Sequence, residues 1–66
     1  MTEITFLKEI YRYEAILSAI RDYKGIARIE LVENEVYYCC SIWDSEYNEN
    51  LVADEFGNYV LGLMNQ

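Results

Sequence analysis

Residues 26–43, IARIELVENEVYYCCSIW, decide the fold. Apolar and polar side chains alternate in residues 26–32, and residues 35–43 are rich in β-branched and aromatic side chains, so both segments are predicted as strands. Residues 33–34, Glu-Asn, predict a tight turn between them, because Asn tolerates the positive φ of short hairpin turns. The stretch therefore predicts an antiparallel hairpin.

A two-residue turn at this point fixes the register of the hairpin. The expected pairs are Leu31–Val36, Ile29–Tyr38 and Ala27–Cys40 on one face, and Glu30–Tyr37 and Arg28–Cys39 on the other. Because the apolar patterns of the two strands agree in this register, we expect the first face to be covered. The residues predicted to point into the core are Ile29, Leu31, Val36, Tyr38, Cys40 and Ile42.

The flanking segments predict one more strand and two helices. Residues 3–8 contain strand formers, and residues 12–23 repeat apolar side chains at helical spacing. Lys24 and Gly25 suit a helix end with a left-handed cap. The helical apolar residues are Ala15, Ile16, Ala19, Ile20 and Tyr23.

A second helix is predicted to begin after Asn48, which suits an N-cap. Gly57 and Gly62 fall inside this helix, and we expect close approach of another backbone there. Its predicted apolar stripe is Leu51, Val52, Phe56, Tyr59, Val60 and Leu63. Residues 1–66 are thus expected to form a single small α+β domain of order β-α-β-β-α, with both helices on one face of a three-stranded sheet.

The other face of the sheet is the candidate binding surface. It is predicted to carry Tyr37, Cys39 and Trp43, with Thr5 and Leu7 from the first strand, and Arg28 from the second. An aromatic stripe on an uncovered sheet face is typical of a contact surface. The alternative is that long Arg and Glu side chains cover it, or that the order of the strands hides part of it.

The protein is strongly acidic, and its charge is unevenly distributed along the chain. The net charge is −7, with all five basic residues in residues 1–28 and eight acidic residues without any base in residues 29–66. This composition disfavours binding to nucleic acid or to anionic membranes, both of which need clustered Lys and Arg. The acidic half is expected to attract basic partners, or alternatively only to keep the protein soluble.

Catalytic and metal chemistry is not expected. The chain has no histidine, which excludes Ser-His and Cys-His nucleophiles, and its two cysteines, Cys39 and Cys40, are adjacent and point to opposite faces of a strand. Residues 44–55 have acids and amides at calcium-loop positions, but Glu49 stands where that loop needs glycine. We therefore expect no enzyme activity, no cofactor and no metal. Two free thiols and the absence of a signal peptide lead us to expect a cytoplasmic protein.

Two segments resemble HxsD-like proteins. Residues 10–19, IYRYEAILSA, followed by Asp22-Tyr23, are similar to the first helix of that family, and residues 55–61, EFGNYVL, are similar to its C-terminal segment. The resemblance implies a small accessory protein of radical-SAM systems that mature ribosomally made peptides. It implies that the partners are a precursor peptide, the maturase or both, and that S-adenosylmethionine and iron–sulfur clusters belong to the maturase. Because a three-stranded sheet has open edges, we expect that an extended peptide can add to one of them as a strand.

Two other functions stay open from the sequence. The acidic half allows an inhibitor or nucleic-acid mimic that occupies a basic site on a partner, and such binding would weaken with salt. The small core allows a structural homodimer.

Overall fold

The fold is an antiparallel sheet covered on one face by two helices. The computed structural model describes residues 1–66. The elements in chain order are β1 (Thr2–Leu7), α1 (Tyr13–Asp22), β2 (Arg28–Glu33), β3 (Tyr37–Trp43) and α2 (Glu49–Met64). Strand order in the sheet is β1-β3-β2. The predicted α+β class, element order and layer arrangement are confirmed. No helix has the length and apolar character that crossing a membrane requires.

The hairpin turn lies two residues later than predicted. Asn34 N–H donates to the Tyr37 carbonyl at 3.0 Å. The Asn34 side-chain Oδ1 accepts from the backbone N–H groups of Val36 and Tyr37, at 2.8 Å each. The tight turn is therefore on Glu35 and Val36, because the Asn34 carboxamide satisfies the turn's own amides.

This turn corrects the predicted register. Ile29 lies opposite Ile42, Leu31 opposite Cys40, and Arg28 opposite Trp43 rather than Cys39. The displacement is an even number of residues, so each side chain keeps its predicted face. Val36 is the exception: it was predicted in the core, but as a turn residue it is 51% exposed.

Strand β3 is central, a point that the sequence left open. Ile4 of β1 lies opposite Cys40, and Phe6 lies opposite Tyr38. Helix α2 packs mainly on β1 and β3, and α1 packs on α2. The inner face of β2 is consequently less covered than the rest, and its Ile29 and Leu31 are only half-buried.

The core joins the two helices to the sheet. Its largest fully buried side chains are Phe56, Ile16, Ile42, Val60 and Cys40. The α1 stripe is confirmed, with Ile20 half-buried. In α2 the prediction was wrong at Leu51 and Tyr59, which are 55% and 38% exposed, whereas Ala53 is buried. Helix α2 buries Val52, Ala53, Phe56 and Val60, and Leu51 and Tyr59 lie outside this surface.

The helix ends agree with prediction at one position only. Asn48 caps α2 by accepting from the Asn50 and Leu51 N–H groups, as predicted. The left-handed cap predicted at Gly25 is wrong: α1 ends at Tyr23 with φ −89°, and no glycine has positive φ. The predicted approach of another backbone is wrong at both glycines: at Gly57 the close neighbour is a side chain, since an added Cβ would lie 3.1 Å from Ile4 Cδ1, and at Gly62 nothing lies within 4 Å.

Candidate functional site

The sheet face away from the helices, called the open face below, carries every residue predicted for binding. Strand registers place its side chains in four rows across the sheet: Leu7–Tyr37, Thr5–Cys39–Val32, Glu3–Ser41–Glu30, and Trp43–Arg28. Tyr37, Cys39, Trp43 and Arg28 thus share one surface. They form a line along β3 with Arg28 at one end, not a convergent cluster.

Arg28 and Trp43 form a unit at that end. The Arg28 guanidinium carbon is 5.3 Å from the centre of the Trp43 ring, in a cation–π arrangement. The same guanidinium lies 3.7 Å from an Asp44 carboxylate oxygen. The indole Nε1 is buried and has no hydrogen-bond partner. At this end the expected alternative holds in part, because a long Arg side chain lies over the aromatic ring.

Cys39 is coupled to an acid in the middle of the face. Its Sγ lies 3.9 Å from Glu3 Oε2, and Ser41 Oγ donates to the same oxygen at 3.5 Å. Partial burial and the Glu3 charge raise the pKa of the Cys39 thiol. Since the thiolate is the reactive form, Cys39 is a poor nucleophile at neutral pH.

Cys40 points to the opposite face and is fully buried. Burial raises the pKa of its thiol to about 12. Two adjacent cysteines with such different surroundings do not share one chemistry, as the alternation of a strand predicts.

The turn end of the open face is apolar. Val32 is 63% exposed and Tyr37 is 41% exposed, and the half-buried Leu7 lies opposite Tyr37. The neighbouring turn adds the exposed Val36. Val32 was not singled out from the sequence, although its alternation with Leu31 already placed it on the open face.

Three of the eight acids of the C-terminal half engage cations. Glu33 is 2.6 Å from Lys8 Nζ, and Asp44 contacts Arg28. Glu49 binds the amino terminus at 3.1 Å, and hydrogen bonds from the amino terminus and from Thr2 lower the pKa of that carboxyl. The other five acids of this half make no ion pair.

No group of three or more Asp, Glu, Cys or His side chains is arranged to hold a metal ion. Comparison with models of protein families, with curated proteins and with solved structures finds no match to this chain.

Proposed function

We propose that the protein is a non-catalytic adaptor that binds a peptide or the enzyme that modifies it. The resemblance of residues 10–23 and 55–61 to HxsD-like proteins suggests its setting, a radical-SAM system that matures ribosomal peptides. The precursor peptide, the maturase or both would be the partners. The observation that carries the proposal is an uncovered sheet face with exposed aromatic and aliphatic side chains.

The open face has the composition of a binding surface. Its apolar end presents Val32 and Tyr37, more than a third exposed each, beside Cys39. Tyrosine and tryptophan contribute large contact areas at low entropic cost, and they dominate measured interface energies. The Trp43 indole N–H offers a donor that has no partner within the chain.

Catalysis is assigned to the partner. The chain has no histidine, and burial and neighbouring charge raise the pKa of both thiols. An adaptor needs neither a nucleophile nor a metal. The radical chemistry and its cofactors would belong to the maturase.

Three tyrosine or tryptophan variants test the surface. Tyr37→Ala and Trp43→Ala remove open-face rings, whereas Tyr47→Ala removes a ring that is 61% exposed in the loop before α2. The tagged variants are expressed in the native host, and captured precursor peptide and radical-SAM enzyme are quantified by mass spectrometry. Hot-spot aromatic residues contribute about 2 kcal/mol or more, so we expect a loss of roughly 30-fold in affinity for the first two variants and none for Tyr47→Ala.

Circular dichroism and thermal unfolding verify that each variant is folded. Equal capture by all three folded variants would contradict the choice of the open face. Capture of basic nucleic-acid-handling proteins that wash off at high salt would instead favour the mimic, and recovery of the bait alone as a dimer would favour the homodimer.

A further inference from the structure

We propose that the free edge of β2, with the groove between β2 and α1, takes one extended peptide segment with an apolar residue and an acidic residue two positions apart. This inference rests on the proposed function and deepens it, because it names the chemistry of the bound peptide. Three separate properties of the edge support it: its backbone groups, its groove and its charges.

The backbone of β2 has an unpaired side. In an antiparallel ladder, directly opposed residues alternate between pairs that exchange hydrogen bonds and pairs that do not. The hydrogen bond from Asn34 N–H to the Tyr37 carbonyl shows which residues of β2 belong to the hydrogen-bonded pairs. Every second residue does, so the backbone groups of Val32 and Glu30 also point toward β3. The N–H and C=O groups of Ile29, Leu31 and Glu33 therefore point away from the sheet. None of the turn, loop or cap hydrogen bonds uses them.

The edge of β1 is less available. Lys8 N–H donates to the Val36 carbonyl, so Lys8 belongs to a hydrogen-bonded pair with β3. By the same alternation, the backbone groups that point away from the sheet are those of Glu3, Thr5 and Leu7. The Leu7 carbonyl already accepts from the amides of the following turn, at 3.0 Å each. The longer run of free donors and acceptors is thus on β2, and the partner that matches such a run is an extended backbone.

A groove of about 540 Å³ adjoins this edge on the helix side. It is lined by Leu17 and Ile20 of α1 and by Ile29 of β2, among other residues. Leu17 is 42% exposed. Side chains of an added strand alternate between the two faces of the sheet, so every second side chain of the peptide would point toward the groove. An apolar side chain fits between these aliphatic walls.

The charge beside the groove specifies the second residue. Arg21 and Lys24 line it, as do Arg28, whose side chain lies over Trp43 on the open face, and the acids Asp44 and Glu46. Arg28 is engaged by Asp44, Arg21 lies 3.8 Å from its neighbour Asp22, and Lys24 makes no ion pair. This end of an otherwise acidic protein can therefore accept a carboxylate. Side chains two residues apart on a strand point to the same face of the sheet. The acidic side chain of the peptide would therefore point toward the groove, as the apolar side chain does.

A second copy of the chain is a poorer occupant. Antiparallel self-pairing of β2 would bring together two molecules of charge −7 each. A net charge far from zero disfavours self-association. The peptide brings a single carboxylate, which lies beside the cations Arg21 and Lys24.

Backbone N-methylation tests the edge without changing a side chain. The full chain can be assembled by chemical ligation at Cys39, with a methyl group on the outward N–H of either Leu31 or Thr5, the matched control on β1. A phage-displayed library of random twelve-residue peptides is selected on the unmodified protein. Binding of the selected synthetic peptides is then measured by fluorescence anisotropy.

We expect the selected peptides to share an apolar and an acidic residue two positions apart. Methylation at Leu31 should weaken their binding at least 10-fold, and methylation at Thr5 should leave it unchanged. Lys24→Gln should weaken binding of the acidic peptides and not of their Asn or Gln analogues.

Selected peptides that bind both methylated chains like the unmodified protein would overturn the edge inference. The adaptor proposal would still stand or fall on Tyr37→Ala and Trp43→Ala. Failure to select any peptide, or β2-dependent dimerisation that Leu31 methylation abolishes, would also overturn it.

Discussion

The two adjacent cysteines should react with alkylating reagents at very different rates. Cys39→Ser leaves only the buried Cys40, and Cys40→Ala leaves only Cys39 on the open face. We expect native Cys39→Ser protein to be labelled by iodoacetamide at least about 100-fold more slowly than an ordinary exposed thiol, and more slowly than native Cys40→Ala protein, because both thiolate fraction and access disfavour Cys40.

Cys40 can be labelled by two routes, in the folded protein or after global unfolding, and the expected difference in rate follows from both. With a pKa of about 12, the thiolate fraction of Cys40 at pH 8 is about 10⁻⁴, roughly a thousandfold below that of an ordinary exposed thiol. Labelling through global unfolding bypasses this barrier. For a domain of this size, with stability of about 3–5 kcal/mol, that route still reduces the rate by about 10²–10⁴. The faster route sets the observed rate, so about 100-fold is the smallest expected difference between Cys40 and an ordinary exposed thiol.

Intact-mass spectrometry over time at pH 8 measures both rates. In concentrated urea the two variants should react alike, which controls for intrinsic reactivity. Glu3→Gln in the Cys40→Ala background should speed labelling, because the Glu3 charge contributes to the raised pKa of Cys39. Similar native rates for the two thiols would refute the assignment of Cys39 and Cys40 to opposite faces.

Three further tests of the fold measure the free energy of unfolding in urea. Asn48→Ala should lower the free energy of unfolding by about 1 kcal/mol, since it removes the α2 cap; an unchanged value would contradict the capping role. Gly62→Ala should raise that free energy by up to about 1 kcal/mol, and Gly57→Ala by less, because its Cβ would crowd Ile4; equal gains would refute the close approach. The free energy of unfolding should fall between pH 9 and 12, because the Cys40 thiol ionises in the unfolded chain while its raised pKa keeps it protonated in the folded protein. In the Cys40→Ala variant this fall should be shallower, and an equally steep fall would contradict the assignment to Cys40.

The faces of the hairpin could be predicted from sequence more reliably than its pairing. Alternation assigns each side chain to a face, and an even displacement of the register preserves that assignment. Pairing depends on the turn, and the turn depends on a three-dimensional detail, the Asn34 carboxamide that accepts two amides. Arg28 was consequently predicted on the correct face but beside Cys39 instead of Trp43.

Helix α2 shows a second limit of sequence reasoning. Periodicity alone favoured the large residues Leu51 and Tyr59, yet the buried surface contains Ala53. Tyr59 instead donates a hydrogen bond to Asp22 of α1 at 2.5 Å. A small residue is selected where the helix lies close to its neighbours, and that distance is a property of the packed domain.

The β2 edge could not be found from sequence, because it depends on strand order. With β3 in the centre, β2 has a free side, and α1 leaves a groove beside it. The edge and the open face then meet, since Arg28 and Val32 belong to β2 and lie on the open face. A strand added at β2 would present alternate side chains to the groove and to the open face. One extended peptide could therefore contact Leu17 on one side of the sheet and the surroundings of Tyr37 on the other. Variants of the two surfaces should then weaken the same partner, and less than additively if the two surfaces are coupled.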